Sequence, residues 1–137
     1  MRLNLATMVA ITIVAALFVK FAWGLPWTPF RIAGLAILIP AFVFLVVARI
    51  QLGRAFSVQA RATQLVTTGL YSRIRNPIYV FGSLVLAGFI LWSGRIWFLL
   101  IFALLVPLQI YRARKEEQVL AEKFGPAWLD YKQKTWF

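Results

Sequence analysis

The chain has 137 residues, 62% of them hydrophobic, with 15 Lys+Arg against 4 Asp+Glu and a mean hydropathy of +0.81. That balance excludes an ordinary soluble domain, which is nearer ~45–50% apolar, and excludes disorder, which needs few apolar residues. Cysteine and histidine are absent, so disulfides, thiolate chemistry and imidazole catalysis are excluded as well. A net charge of +11 would by itself suggest nucleic acid. Here the basic residues separate long apolar runs, the pattern of a membrane protein.

In chain order, the first predicted span runs from Leu5 to Trp23, with Lys20 near enough to its end to snorkel. Its length and the spans behind it favour an uncleaved helix over a signal peptide. Gly24, Pro26 and Pro29 mark an outer turn. The second span is Ile32–Ala48, the third Ile78–Ser93 and the fourth Ile96–Tyr111, each roughly 25 Å of helix at 1.5 Å per residue. That is short for a core of ~30 Å, so flanking residues or local thinning must help. Pro40 and Pro107 should kink spans two and four. Spans three and four, joined by Gly94 and Arg95, form a tight hairpin, and Ser83 and Ala87 offer a small-residue packing face. Gly125-Pro126 ends the helix that continues span four.

The basic residues set the orientation. Arg49, Arg54, Arg61, Arg73 and Arg75 lie between spans two and three, and Arg112, Arg114, Lys115, Lys123, Lys132 and Lys134 follow span four. The opposite side has only Lys20, Arg31 and Arg95. The positive-inside rule then places both termini in the cytoplasm. The expected fold is all-α: a polytopic membrane protein of four transmembrane helices with a cytoplasmic C-terminal helix, one domain over residues 1–137. Trp128 and Tyr131 suit an interfacial aromatic anchor. The expected location is a membrane such as the bacterial inner membrane, with the bilayer as partner and neither nucleic acid nor a metal.

Two cytoplasmic stretches look chemical. Asn76-Pro77 suits a helix start, Asn as cap and Pro as first residue. Such a start offers N–H groups and partial positive charge to an anion, beside Arg73 and Arg75. The second stretch holds Glu116 and Glu117; no acidic residue precedes them, and all four acids fall between Glu116 and Asp130. An Arg112–Glu116 pair four residues apart is the local alternative for Glu116. Neighbours on a helix point about 100° apart. One glutamate is therefore expected at a pocket and the other bracing the basic segment.

From Leu52-Gly53 through Leu65-Val66-Thr67-Thr68-Gly69-Leu70-Tyr71, Arg75-Asn76-Pro77-Ile78-Tyr79, Glu116-Glu117 and Phe124-Gly125 to Tyr131, the sequence resembles the isoprenylcysteine carboxyl methyltransferase and phospholipid methyltransferase group. The resemblance covers the core at about 52–131. It implies an integral-membrane enzyme using S-adenosylmethionine, with Tyr71, Arg75, Asn76, Pro77, Tyr79, Glu116 and Glu117 at the cofactor and Arg75 and Glu117 in the catalytic role. This chain has Asn76 where the group usually has His, and Gly69-Leu70-Tyr71 where it has Gly-Pro-Tyr. It also reaches Phe137 without the Pro-containing tail often found after the last aromatic, in the lid region.

A hydrophobic or lipid-like acceptor is expected. A carboxylate (pKa ~4) is ionised at neutral pH, whereas an amine (pKa ~10) must first lose a proton. With no histidine as base, an acid or thiol is favoured over an amine. The competing readings are an NADPH-dependent sterol-type reductase, with Arg73, Arg75 and Lys115 on a 2′-phosphate, and a non-enzymatic membrane subunit. No acidic residue lies within a span, which argues against proton-coupled export.

Overall fold

In the computed structural model the described residues are 23–53 and 65–137, with Ile13, Ala16, Leu17 and Lys20. The predicted first span, and Arg54 and Arg61 with it, lie almost wholly or wholly outside them. Among the described residues the regular structure is helical: α1 (Pro29–Leu52), α2 (Pro77–Ser93), α3 (Phe98–Phe124) and α4 (Pro126–Lys134), with a 3-10 turn at Gly69–Ser72.

The boundaries follow local chemistry. Thr28 caps α1, its hydroxyl accepting from the Arg31 N–H at 3.4 Å, and Pro29 fills the first helical position. Gly94, at φ 65, closes α2 in the left-handed conformation open to glycine. The connection between α2 and α3 is longer than two residues. A run of i→i−3 bonds, from Phe98 N–H to the Arg95 carbonyl through Leu100 N–H to that of Trp97, turns the chain before α3 begins at Phe98. At the other end α3 runs past the apolar stretch to Phe124, so its apolar half and the Glu116-Glu117 pair share one helix. Both α1 and α3 continue as helix through their internal prolines, Pro40 and Pro107.

One described helix, α1, is long and apolar enough to cross a membrane, at 24 residues; α2 is apolar but has 17. Large side chains along α1 and α3, among them Ile32, Ile39, Phe42, Leu100 and Leu104, are exposed to the surroundings rather than packed inside. In water that surface would be costly; in lipid it is the expected exterior.

The principal packing is α1 on α2. Gly34, Ala41 and Ala48, seven residues apart, are buried on α1 and let the backbones approach. Gly34 and Gly88 face each other across this seam: a Cβ on Gly88 would lie 2.7 Å from the Leu38 nitrogen and 2.8 Å from the Gly34 carbonyl oxygen. The small-residue face is thus centred on Gly88 rather than on Ser83 and Ala87. Ser83 instead donates its hydroxyl to Gln109 Oε1 at 2.7 Å, a polar tie between α2 and α3. Phe44 stacks on Phe81 at 5.1 Å.

At the start of α1 Arg31 is buried, with 6% of its surface exposed. Its Nε donates to the Trp92 carbonyl at 3.0 Å, its Nη1 donates to the Pro26 carbonyl at 3.3 Å, and the guanidinium lies 5.1 Å from the centre of the Trp92 ring. The start of α1 is thereby fastened to the end of α2.

Candidate functional site

The Asn76-Pro77 pair begins α2 as its sequence dictates, Asn76 in the cap position and Pro77 first in the helix. The asparagine side chain does not cap. Its backbone, at φ −121 and ψ 55, turns the amide away from the helix start, and Nδ2 donates to Glu117 Oε1 at 2.9 Å. The Arg75 Nε donates to the same oxygen at 3.1 Å, an ion pair between partly buried groups. Both bonds fall on Oε1 and leave the other oxygen out of the pairing. Tyr79, one turn into α2, donates its hydroxyl to Glu116 Oε1 at 2.7 Å.

The two adjacent glutamates of α3 therefore meet the same end of α2 through different partners, Glu117 at its cap and Glu116 one turn in. Their divergence, expected from helix geometry, is resolved by Asn76 and Tyr79 being three residues apart. The partner found for Glu116 is Tyr79, in addition to any influence of Arg112. Arg75, the residue expected to meet an anion, meets a protein carboxylate, and its Nη1 donates to the carbonyls of Lys132 and Thr135 at 3.3 and 3.2 Å.

Tyr71 sits in the 3-10 turn, buried, with its hydroxyl making no hydrogen bond. Burial pushes its phenol well above the ordinary range; Tyr131, Glu116 and Tyr79 add to the rise, while the Arg49 cation on α1 opposes it. The turn is held from two sides. Tyr131 donates its hydroxyl to the Tyr71 carbonyl at 2.7 Å, and Leu70 N–H donates to Gln51 Oε1 of α1 at 2.8 Å. Gly69, at φ 62, packs against the Gln51 side-chain amide, where a Cβ would collide. Burial raises Tyr131 to about 12, against the opposing Arg75 cation.

Trp128 and Tyr131, expected as an interfacial anchor, are buried instead at 3% and 8% exposure. Trp128 and Tyr131, three residues apart, form the inward face of α4, and buried Thr135 follows just past its end. The exposed aromatics at this end are Trp136 and Phe137. Gln51, Thr135 and the last residues of the chain were absent from the sequence-based set, and no local pattern marks them.

All seven residues expected at a cofactor (Tyr71, Arg75, Asn76, Pro77, Tyr79, Glu116 and Glu117) fall at the junction of the 3-10 turn, the start of α2 and the middle of α3. The groups gathered here are two carboxylates, each bound to α2 through its Oε1, and a buried phenol without a hydrogen-bond partner. A ligand bearing an ammonium or hydroxyls fits the carboxylates, and one with an acceptor atom fits the phenol.

No curated protein and no solved structure matches the chain. The model of the family described as phospholipid methyltransferase matches residues 30–127, from the start of α1 to the start of α4 and well over half the chain. The chain is thus a member of the phospholipid methyltransferase family, whose chemistry is methyl transfer in membranes.

Proposed function

We propose that this protein is a multi-pass membrane methyltransferase that uses S-adenosylmethionine and methylates a hydrophobic or lipid-like carboxylate or thiol. The observation that carries the reading is the meeting of Glu116 and Glu117 with the start of α2, each tied through one oxygen, in a chain of this family. The cofactor supplies a methyl group on a sulfonium. Glu117, held by Arg75 and Asn76, receives its ammonium or ribose, and Glu116, held by Tyr79, lines the adjoining wall. The Tyr71 hydroxyl is a donor for an acceptor atom on the ligand. Arg75 is the cation that sets Glu117, and in this reading it also faces an anionic acceptor.

Methyl transfer is in-line displacement governed by positioning, so a rigid junction with few reactive groups suffices. A carboxylate or thiolate acceptor needs no strong base, in keeping with a site that offers none. In the proposed topology four helices span the bilayer, the first of them the segment ending at Trp23, and both termini face the cytoplasm. The acceptor approaches from lipid between helices, and the cofactor from the cytoplasmic side, where the glutamates lie.

The test is calorimetric titration of S-adenosylmethionine into the protein in lipid nanodiscs, on wild type and Glu117→Gln. Wild type should bind, and Glu117→Gln should bind about tenfold or more weakly, the equivalent of a charge-assisted hydrogen bond. Absence of binding by wild type overturns the cofactor reading. Turnover of an amine lipid headgroup, with none of a lipidated carboxylate or thiol, overturns the acceptor class.

A further inference from the structure

The last residues of the chain run back along the site. At the end of α4, the carbonyls of Lys132 and Thr135 both accept from Arg75 Nη1. Thr135 is buried, and its hydroxyl donates to the Tyr131 carbonyl at 2.9 Å, which closes off the helix. The backbone then lies parallel to residues 73–76, with Ile74 and Trp136 as a bridge pair. Trp136 N–H donates to the Arg73 carbonyl at 2.8 Å, Arg75 N–H donates to that of Trp136 at 3.0 Å, and Asn76 N–H donates to that of Phe137 at 3.2 Å. With Tyr131 on the Tyr71 carbonyl, the segment carrying the site is held at four points by residues 131–137.

We infer that Thr135–Phe137 is a positioning strap, which fixes the backbone of Arg75 and Asn76 so that their side chains hold Glu117 in place for a ligand. The inference rests on the function proposed above. Residues 73–76 join the 3-10 turn to α2 without helix or sheet of their own, and three of their backbone groups find partners in the strap alone. An irregular connection of this kind samples many conformations unless tied. Arg75 and Asn76 are the two donors on Glu117 Oε1, so the order imposed on their backbone passes directly to the carboxylate. No bond of the strap to residues 73–76 passes through a side chain of 135–137: they are backbone bonds and the Arg75 guanidinium on carbonyls. The Trp136 indole is 73% exposed and takes no part in them.

That separation makes the strap testable at one position. Trp136→Ala removes the indole and keeps the N–H; Trp136→Pro removes both. Thr135 is already extended, at φ −125 and ψ 154, the conformation a following proline requires. Both variants, in nanodiscs, are compared by amide hydrogen exchange of peptides covering residues 71–79 and by calorimetric affinity for S-adenosylmethionine. Exchange in Trp136→Pro should be about tenfold faster than in Trp136→Ala, and affinity about tenfold weaker, the equivalent of roughly one backbone hydrogen bond. Thr135→Val should move both readouts in the same direction, and Thr135→Ser should restore them, which keeps the test standing should the proline variant fail to fold.

Equal exchange in Trp136→Pro and Trp136→Ala overturns the strap. Faster exchange with unchanged affinity overturns its positioning role. Should wild type bind no S-adenosylmethionine, the cofactor reading falls, and exchange at residues 73–76 still decides whether the strap holds them.

Discussion

Replacing Gly88 by alanine tests whether α1 and α2 touch through their backbones. The added Cβ would sit 2.7 Å from the Leu38 nitrogen and 2.8 Å from both the Gly34 carbonyl oxygen and the Leu38 Cβ, whereas ordinary contact begins near 3.4 Å. Two of these three are backbone atoms of a helix, which no side-chain rotation relieves, so the helices must part by at least ~0.7 Å at that point. Overpacking of this kind costs about 1–3 kcal/mol, and a gap of 0.5–1 Å forfeits a quarter to a half of the dispersion energy of flanking contacts. Those contacts include the Phe44–Phe81 stack and the buried Ala41. The upper half of the range, about 2–3 kcal/mol, is expected, or a fall in Tm of roughly 6–12 °C. Gly34→Ala meets the same seam from the other side, against the Trp92 backbone nitrogen and the Gly88 carbonyl oxygen. Once one methyl has parted the helices the second finds room, so the double variant should lose about 1–2 kcal/mol less than the sum. The control is Gly82→Ala, whose Cβ would meet nothing nearer than Gln109 Nε2 at 4.0 Å and which should be neutral or stabilising. Thermal unfolding in nanodiscs, followed by near-ultraviolet circular dichroism, reads all four. A Gly88→Ala protein as stable as Gly82→Ala would refute backbone contact.

Three further outcomes are expected. Because burial raises Tyr131 from 10.0 to about 12, the folded state holds that proton more tightly; its stabilisation is complete below pH 10 and is lost as pH climbs from 10 to about 12. Tyr131→Phe should flatten this alkaline loss in urea titrations run across that window, and an unchanged slope would refute the assignment. Gly69→Ala should lower Tm, since it combines φ 62 with a collision against the Gln51 amide. Adding Gln51→Ala relieves the collision but removes the acceptor for Leu70 N–H, so only partial recovery, about 1 kcal/mol short of wild type or more, is expected. Asn76→Asp places a second carboxylate against Glu117 and should destabilise more than Asn76→Ala in the same melts; the reverse order would show that Asn76 does not face Glu117.

What the sequence revealed about the site depended on how local the cause was. Asn76-Pro77 begins a helix for reasons within two residues, and it does so. Glu116 and Glu117 stand out by the scarcity of acids, and the hairpin of α2 and α3 brings Glu117 to Arg75. The destination of the Asn76 amide was not legible, because a cap residue whose side chain reaches another helix looks the same in sequence as one that caps. Trp128 and Tyr131 were misassigned to the membrane interface since an aromatic pair on a short helix suits either side of it; burial against the 3-10 turn is a contact across some sixty residues. Gln51 and residues 135–137 act through single hydrogen bonds or backbone alone, and neither leaves a compositional trace. In the fold, the apolar stretches of α1 to α3 and the glycine stops were readable, while α1 and α3 run on past their apolar stretches and the α2–α3 connection is longer than expected because reversing direction takes a further run of tight bonds.

The Arg31 attachment at the end of α2 gains meaning beside the Glu117 attachment at its start. Helix α2 carries no charge of its own over 17 residues and has little within it to set its position along its own axis. It is met by a carboxylate at its first turn, through Asn76, and by a guanidinium on the carbonyl of Trp92 in its last. Each sign matches the partial charge at that end, so sliding α2 either way stretches one attachment or the other. The pair works as an axial register lock. In a chain with only four acidic residues, one is committed to keeping α2 from slipping relative to α1 and α3, so that the start of α2 and the glutamates of α3 stay level with each other.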